Sequence, residues 1–213
     1  MQSQSNPQVQ LEQYTTPERV VANMLYIAAY THGDVIDKSV LDLGCGTGRL
    51  GLGAAFLGAA EVVGVDIDPV AIKAAQTNTQ KSGLSKCVHL VNSDIATIHG
   101  RFDTVLQNPP FGVQNRKADQ AFLVKALEVA DKIYSIHNHP QVDEQLIRML
   151  KSRGNFVQVL PSPFLGGFIA KYGGDITAVY SMLMSIPKMF GFHRKLRHDF
   201  VIDLYVIEKQ SKK

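Results

Sequence analysis

Short apolar runs alternate along the chain with segments whose apolar residues recur at helical spacing. This alternation predicts an α/β fold with a mostly parallel seven-stranded sheet, an antiparallel C-terminal hairpin and helices on both faces. Residues 162–172 stay ambiguous, because two glycines interrupt their apolar stretch. The predicted strands are 40–43, 61–66, 88–91, 102–106, 132–136, 176–186 and 200–207, with 155–160 as a further candidate. The predicted helices are 17–28, 49–57, 69–81, 118–131 and 143–151.

The first predicted helix carries N-terminal capping signals. Thr15 or Thr16 precedes Pro17, a residue favoured in the first helical turn, and Glu18 is placed for a capping box. We predict that residues 11–31 form a lid and a helix over the ligand-binding end of the sheet. The polar residues before them, 1–10, are predicted to be a flexible tail.

A glycine-rich turn, Gly44-Cys45-Gly46-Thr47-Gly48, lies between the first predicted strand and the next helix. This arrangement favours nucleotide binding, because glycine permits close approach and the N–H groups of the turn point outward. Asp66 ends the second strand 18 residues beyond Gly48, near the spacing at which a carboxylate meets a ribose hydroxyl. Asp94 follows the third strand, where it could accept a hydrogen bond from an adenine amine. Three consecutive strands thus end in polar residues at one edge of the sheet.

The fourth predicted strand ends in Asn108-Pro109-Pro110-Phe111. Two successive prolines stop a strand, since neither donates a backbone N–H. The Asn108 side-chain carbonyl and the Pro109 carbonyl are then acceptors that can hold the hydrogens of a planar amine, while Phe111 stacks beside it and Pro110 shapes the turn. A tight turn after a buried strand is the alternative interpretation. The functional interpretation is alkylation of an amide or adenine nitrogen, with no general base needed early.

The glycine turn and the Asn-Pro-Pro-Phe motif together resemble an enzyme superfamily. The segment Asp42-Leu43-Gly44-Cys45-Gly46-Thr47-Gly48 is similar to the first motif of class I S-adenosylmethionine-dependent methyltransferases, which have a Rossmann-like fold. Asp66 and Asp94 fall where later motifs of that superfamily lie. Asn108 to Phe111 is similar to the fourth motif of its amino-methylating branch, so the order of all four motifs matches.

Further segments narrow the resemblance to the methyltransferase-like protein 5 family and indicate an archaeal-type member. The similarity runs from about Leu11 to Val206 and includes Leu11–Pro17, Asn108–Gly112, Tyr134–His137 and Phe192–Lys195. That family methylates the N6 amine of adenine in small-subunit ribosomal RNA. The resemblance therefore implies S-adenosylmethionine as cofactor, RNA as partner and an unpaired or flipped adenine as target. Eukaryotic members pair with a small zinc-binding activator protein, and whether this chain does so stays open.

The resemblance also implies a set of cofactor-binding residues. Thr47 and Arg49 stand at positions that the family varies, which favours contact through their backbone. The stretch 139–167 is longer here than in the family pattern, and we treat it as a family-specific insertion without an assigned role. The implied cofactor residues are Gln13, Tyr14, Thr16, Asp42, Gly44, Gly46, Thr47, Gly48, Arg49, Asp66, Asp94 and Ile95.

A basic, aromatic segment precedes the last predicted strand. The formal charge of the chain is only +3, so the local distribution is more informative than the total. Four cations and two histidines between Lys188 and His198 are interleaved with Phe190 and Phe192. Such a segment can contact phosphates and stack an unpaired base, or it can be a solvated loop whose phenylalanines pack inward. The predicted RNA contacts are His137, Phe192, His193, Arg194, Lys195 and Arg197.

His137 and His139 lie two residues apart, so on a strand they share a face. No third ligand lies nearby in sequence, and we predict no metal site. His137 is either a rim residue of the active site or a polar strand end. Cys45 and Cys87 offer neither a disulfide framework nor metal-ligand spacing, and we interpret them as small, reduced fillers rather than nucleophiles.

Length and composition are those of one ordinary globular domain over residues 1–213, with 45% hydrophobic residues. No apolar run approaches the roughly 20 residues that cross a bilayer, and the N-terminus lacks the layout of a signal peptide. We therefore expect a cytoplasmic protein without a membrane partner.

Three rival functions stay open. Asn-Pro-Pro-aromatic methyltransferases also modify protein glutamine, although the last residue there is commonly Tyr and an N-terminal helical domain is usual. DNA adenine methylation usually needs a target-recognition domain, for which 213 residues leave little room. A non-catalytic scaffold that binds the cofactor and ribosomal RNA is the third, and the intact Asn108 to Phe111 motif argues against it.

Overall fold

The computed structural model describes residues 16–111, 117–141, 144–153, 155–187 and 197–210. The predicted tail and the first part of the predicted lid lie outside these residues. Eight strands occur in the described part of the chain: β1 (Ser39–Leu43), β2 (Glu61–Asp66), β3 (Val88–Asn92), β4 (Phe102–Gln107), β5 (Ala130–Asn138), β6 (Phe156–Gln158), β7 (Gly174–Pro187) and β8 (Arg197–Lys209).

Helices alternate with these strands as the pattern predicts. A π-helical turn, Ile27–Thr31, continues the first helix, and a 3₁₀ turn, Ile95–Thr97, follows β3. The α-helices of the described residues are α1 (Glu18–Tyr26), α2 (Arg49–Phe56), α3 (Pro69–Lys81), α4 (Ala118–Val129), α5 (Glu144–Arg153) and α6 (Pro163–Lys171). Within this part of the chain, every helix is too short or too polar to cross a membrane.

The strands form one sheet in the order β3-β2-β1-β4-β5-β8-β7-β6. The pairs among β3, β2, β1, β4 and β5 are parallel, and those from β5 through β8 and β7 to β6 are antiparallel. The predicted α/β fold class with its C-terminal hairpin is confirmed, but the sheet has eight strands where the sequence predicts seven. The additional strand is β6, which pairs with β7 at the edge and packs Phe156 against Tyr180.

The ambiguous stretch 162–172 is the helix α6. The Ser162 hydroxyl caps it by accepting a hydrogen bond from the Leu165 N–H at 3.3 Å, and Pro163 occupies the first turn. Leu165 and Ile169 are buried against the sheet, so tertiary packing offsets the low helix propensity of the two glycines.

The core has two main layers, one on each face of the sheet. Successive residues of β1 point to opposite sides, so Val40 belongs to the layer that includes α1 and α2, whereas Leu41 belongs to the layer that includes α4 and α6. Since β1, β2, β4 and β5 are parallel, their carboxyl ends meet at one edge. The glycine turn, Asp66 and the Asn-Pro-Pro-Phe motif all leave the sheet there, which is where open α/β sheets bind ligands.

Candidate active site

The glycine turn is held tightly against β2. The N–H groups of Gly44 and Cys45 both donate to the Val65 carbonyl, at 2.9 and 2.8 Å. Gly44, Gly46 and Gly48 have φ of 72°, 54° and 82°, the left-handed region that glycine adopts without strain. A Cβ on Gly44 would lie 2.8 Å from the Phe122 ring, whereas a Cβ on Gly46 would meet no described atom within 4 Å. The turn is therefore packed on one side and open at Gly46, where a ligand could lie.

Asp66 fixes the open part of this turn. Its Oδ2 accepts a hydrogen bond from the Gly46 N–H at 2.8 Å, and its Oδ1 accepts one from the Asp68 N–H at 2.9 Å. Burial raises the pKa of Asp66, and the two backbone donors oppose that rise. The carboxylate predicted to meet a ribose hydroxyl thus lies directly beside the glycine turn.

Asp42, one of the predicted cofactor residues, is enclosed by the protein. Its side chain is 1% exposed, and Oδ2 accepts a hydrogen bond from the Gly51 N–H at 2.7 Å. Burial raises the pKa of Asp42 to about 7, although the Gly51 N–H favours the charged form and opposes the rise. Because the carboxylate is enclosed and bonded to α2, we assign Asp42 to holding α2 under the turn rather than to direct cofactor contact.

Thr16 joins the N-terminal segment to the end of β4. Its hydroxyl accepts a hydrogen bond from Asn108 Nδ2 at 3.0 Å, and its carbonyl accepts one from Arg49 Nη1 at 3.1 Å. The predicted threonine cap of α1 is wrong: the N-cap position is Pro17, with no side-chain hydrogen bond. The hydroxyl that could have capped the helix bonds to Asn108 instead, so the beginning of α1 lies over the predicted catalytic motif.

The Asn-Pro-Pro-Phe motif follows directly after Gln107, the last residue of β4. Asn108 Oδ1 is buried and has no hydrogen-bond partner among the described residues, although buried acceptors are nearly always paired. Pro109 is buried, and the Phe111 ring packs edge-on against Phe200 with centroids 6.0 Å apart. The buried Asn108 side-chain carbonyl is therefore available to accept a hydrogen bond from an N–H group of a ligand.

The remaining predicted cofactor residues have mixed positions. Asp94 is exposed and caps the 3₁₀ turn by accepting a hydrogen bond from the Ala96 N–H at 2.9 Å, and Ile95 is half-buried. Thr47 is buried, and its carbonyl accepts from Asn78 Nδ2 at 3.0 Å. Gln13, Tyr14, Phe192, His193, Arg194 and Lys195 lie outside the described residues, and of Arg197 only the backbone, at the start of β8, is described.

A cavity of about 480 Å³ opens beside Phe111. His137 lines it although only 4% of the residue is exposed, and its Nε2 lies 2.8 Å from Ser135 Oγ. Burial lowers the pKa of His137 to about 4, so the ring is neutral at pH 7. Asp119 and Phe164 also line this cavity. The predicted rim residue thus lies in the wall of a cavity next to the catalytic motif.

Sequence reasoning missed Asp119, Ser135, Gln107 and Phe164. Their signal was weak, since a serine or glutamine inside an apolar strand reads as an ordinary strand residue. Among the described residues, no cluster of three or more histidine, cysteine, aspartate or glutamate side chains could hold a metal ion. Burial raises the pKa of the Cys45 thiol, so this cysteine stays protonated and is a poor nucleophile.

These features fit S-adenosylmethionine. The open space at Gly46 can take a ligand that approaches the backbone closely, and Asp66 stands beside it as an acceptor. The unpaired Asn108 Oδ1 follows β4, the strand next to β1, so an amine held there would lie beside that ligand.

Comparisons with known proteins agree with this geometry. A family model described as a methyltransferase domain matches residues 35–179. A protein of Methanocaldococcus jannaschii without an assigned function is 36% identical over 96% of this chain and 87% of its own length. The Danio rerio protein named rRNA N6-adenosine-methyltransferase METTL5 is 31% identical, over 92% of this chain and 88% of its own.

A solved structure from Pyrococcus horikoshii, described as a candidate RNA methyltransferase, superimposes with a TM-score of 0.82 at 34% identity. The match covers 99% of this chain and 93% of that one. Family model, full-length relatives and structural neighbour agree, and the chain belongs to the methyltransferase-like protein 5 family of methyltransferase-domain proteins.

Proposed function

We propose that this protein transfers a methyl group from S-adenosylmethionine to the N6 amine of an adenine in RNA, with small-subunit ribosomal RNA as the substrate. The observation that carries the proposal is the buried, unpaired Asn108 Oδ1 next to Pro109 and Phe111. An adenine amine brings two N–H donors, of which Asn108 Oδ1 accepts one and the Pro109 carbonyl the other. Phe111 stacks on the base.

The protein's contribution is orientation and desolvation. Asn108 is fixed by its bond to Thr16, so its carbonyl is preorganised and does not reorganise when the amine arrives. Two acceptors draw electron density toward the amine nitrogen and set its direction. The proton lost by the product passes to solvent, and the transfer needs no general base early.

The cofactor is held by the glycine turn and its neighbours. Gly46 lets the cofactor approach the backbone closely. Asp66 accepts hydrogen bonds from its ribose hydroxyls, and Asp94 and Ile95 border its adenine. When bound, S-adenosylmethionine supplies an already activated methyl group. Thr16 and Arg49 connect the segment before α1 to the site, and Gln13 and Tyr14 belong to the same lid.

RNA reaches the site as an unpaired or flipped adenine, because a duplex buries the N6 amine. His137 borders the base, and Phe192, His193, Arg194, Lys195 and Arg197 contact phosphates and flanking bases. A small zinc-binding activator is a candidate partner of this chain, as in eukaryotic members of the family. An enzyme with this substrate works in the cytoplasm.

The test is methyl transfer from labelled S-adenosylmethionine to ribosomal RNA from a strain that lacks this gene, followed by nucleoside mass spectrometry. We expect label in N6-methyladenosine from the small-subunit RNA. Label confined to protein glutamine, with cofactor binding intact, would overturn the proposal. If no substrate is labelled, the assay is repeated with the organism's zinc-binding activator added, and continued absence of N6-methyladenosine also overturns it.

A further inference from the structure

The cavity beside Phe111 is built from two parts of the chain. Phe111, Asp119 and His137 form one side, next to the catalytic motif. The stretch 139–167, to which sequence reasoning assigned no role, supplies six of the ten lining residues, including the 64% exposed Phe164 of α6. The cavity lining therefore includes an aromatic side chain from each part, together with the polar side chains of Asp119 and His137.

A buried hydrogen-bond chain runs behind His137. Gln107 Nε2 donates to Ser135 Oγ at 2.9 Å, and Ser135 Oγ lies 2.8 Å from His137 Nε2. Gln107 and Ser135 are fully buried, and the Tyr205 ring packs edge-on against the imidazole with centroids 5.5 Å apart. The ring is thus held in one orientation from behind and from the side.

This hydrogen-bond chain favours one tautomer of His137. Gln107 occupies one acceptor position of Ser135 Oγ, so the Ser135 hydroxyl hydrogen is available to His137 Nε2, and this arrangement favours Nε2 as the acceptor. His137 Nδ1 lies 3.9 Å from Asp119 Oδ2, and a nearby carboxylate favours a proton on the nitrogen that faces it. Burial keeps the pKa of His137 low, so the second proton is absent at pH 7. The cavity is therefore faced by a neutral Nδ1–H donor.

We infer that His137 Nδ1–H reads the target base by donating to a ring nitrogen next to its exocyclic amine, and that Gln107 and Ser135 are positioning residues that hold this tautomer. The inference rests on the proposed function and specifies which part of the target base the protein recognises. Adenine has such an acceptor on either side of N6, namely N1 and N7. A glutamine amide offers its carbonyl oxygen beside the amine but no ring nitrogen, so weaker binding when N1 or N7 is replaced by carbon identifies a nucleobase as the ligand. The stretch 139–167 supplies part of the wall of the base pocket, including Phe164.

Nuclear magnetic resonance tests the tautomer in the full chain. The protein is labelled with ¹⁵N-histidine, and long-range ¹H–¹⁵N correlations are recorded between pH 5.5 and 8. We expect His137 as the neutral Nδ1–H form throughout, and a mixture of tautomers in Ser135→Ala and Gln107→Leu. Thr79→Val is the matched control: it removes a buried hydroxyl that donates to the Ala75 carbonyl within α3, outside the cavity lining. An Nε2–H tautomer of His137, or titration near pH 6.5, overturns the inference.

Binding of nucleosides tests the recognition without any need for methyl transfer. Adenosine, 1-deazaadenosine and 7-deazaadenosine are titrated into the labelled protein in the presence of S-adenosylhomocysteine. We expect adenosine to shift the His137 resonances and the analogue that lacks the recognised nitrogen to bind about five- to tenfold more weakly, the effect of one hydrogen bond. If adenosine leaves His137 unshifted, or both analogues bind like adenosine, the inference fails.

Kinetics separate recognition from scaffolding. His137→Phe removes the donor and should raise KM for RNA about fivefold while KM for S-adenosylmethionine is unchanged, and His137→Asn, whose amide N–H lies near the Nδ1 position, should recover part of the loss. If His137→Phe and His137→Asn raise KM for RNA equally, the role of His137 is structural only. Should methyl transfer to RNA fail altogether while adenosine still binds at His137 with the expected analogue preference, the reaction assignment fails and the base pocket stands.

Discussion

The two halves of the sheet's ligand edge are built in different ways. The glycine-turn half, which comprises β1, β2 and the turn between β1 and α2, is held by contacts within one continuous stretch of chain, residues 42–78: Asp42 bonds Gly51, Asp66 bonds Gly46 and Asn78 bonds Thr47. The cavity half, which comprises the end of β4, β5, β8 and α6, depends on distant pairs. Gln107 and Ser135 are 28 residues apart, and Ser162 and Tyr205 are 43 apart.

The two halves also carry buried titratable groups whose pKa values move in opposite directions. Asp42 has its pKa raised to about 7, so the folded state binds a proton that the unfolded state releases, and stability falls as pH rises from about 4 to 7. His137 has its pKa lowered to about 4, so the unfolded state binds the proton first, and stability falls as pH drops from 6.5 to 4. A local motif can be recognised by its spacing, whereas the cavity half shows its chemistry only after folding.

The largest expected effect is loss of transfer in Asn108→Ala. Removing one preorganised acceptor should lower kcat by about 10²- to 10³-fold, while the Kd for S-adenosylmethionine, measured by calorimetry, changes little. Thr16→Val is the matched comparison, because it removes the same Thr16–Asn108 hydrogen bond and keeps the Asn108 carbonyl. The decrease in kcat caused by Thr16→Val should be much smaller than that caused by Asn108→Ala. Equal loss of transfer and cofactor affinity in Asn108→Ala would contradict the assigned role.

Gly44→Ala should be strongly destabilising and should weaken cofactor binding. Both Gly44 and Gly83 have positive φ, of 72° and 70°, so alanine pays a backbone cost at either position. Only at Gly44 would the new Cβ lie 2.8 Å from the Phe122 ring. We expect a loss of about 2–4 kcal/mol for Gly44→Ala and about 1 kcal/mol for Gly83→Ala in urea denaturation. Similar losses of stability in Gly44→Ala and Gly83→Ala would mean that the Phe122 ring moves aside at little cost.

Asp42→Asn should change the pH dependence of stability. The asparagine keeps an acceptor for the Gly51 N–H but cannot ionise, so the penalty of a buried carboxylate at high pH disappears. Relative to the natural protein, the variant should gain about 1–3 kcal/mol in the free energy of unfolding between pH 5 and pH 8. Urea denaturation at both pH values measures this gain. Parallel pH profiles for the two proteins would show that Asp42 does not titrate as described.

The smallest expected effect distinguishes the two faces of the sheet. Tyr205→Phe removes the hydroxyl that accepts from the Ser162 N–H at 3.0 Å, and Tyr134→Phe removes the hydroxyl that donates to Asp34 at 2.7 Å. Each should lower stability by about 1 kcal/mol. Only Tyr205→Phe should raise KM for RNA, because only that hydroxyl ties the beginning of α6 to the cavity. An equal rise in Tyr134→Phe would mean that the effect is general loosening.

Much of the fold followed from the periodicity of apolar residues. The seven main strands and five helices were predicted with their ends shifted by a few residues, because runs of this kind signal burial without context. Two elements were uncertain for physical reasons. The three-residue β6 exists because β7 extends beside it, and α6 tolerates Gly166 and Gly167 because Leu165 and Ile169 are buried. Thr16 did not cap α1, because Asn108 offered its hydroxyl a better-placed donor.

By itself, the sequence determined the glycine turn, Asp66 and the Asn-Pro-Pro-Phe motif, because each follows a strand directly and strand ends of a parallel sheet meet at one edge. The sequence also showed that Asp42 belongs to the motif, but it did not determine the role of Asp42, since burial against Gly51 depends on how α2 packs. Only the tertiary structure joined Gln107, Ser135 and His137 and brought Phe164 into the cavity that Phe111 also lines. The physical reason is that a side chain's ionisation and hydrogen-bond partners depend on neighbours from distant strands, which no local pattern encodes.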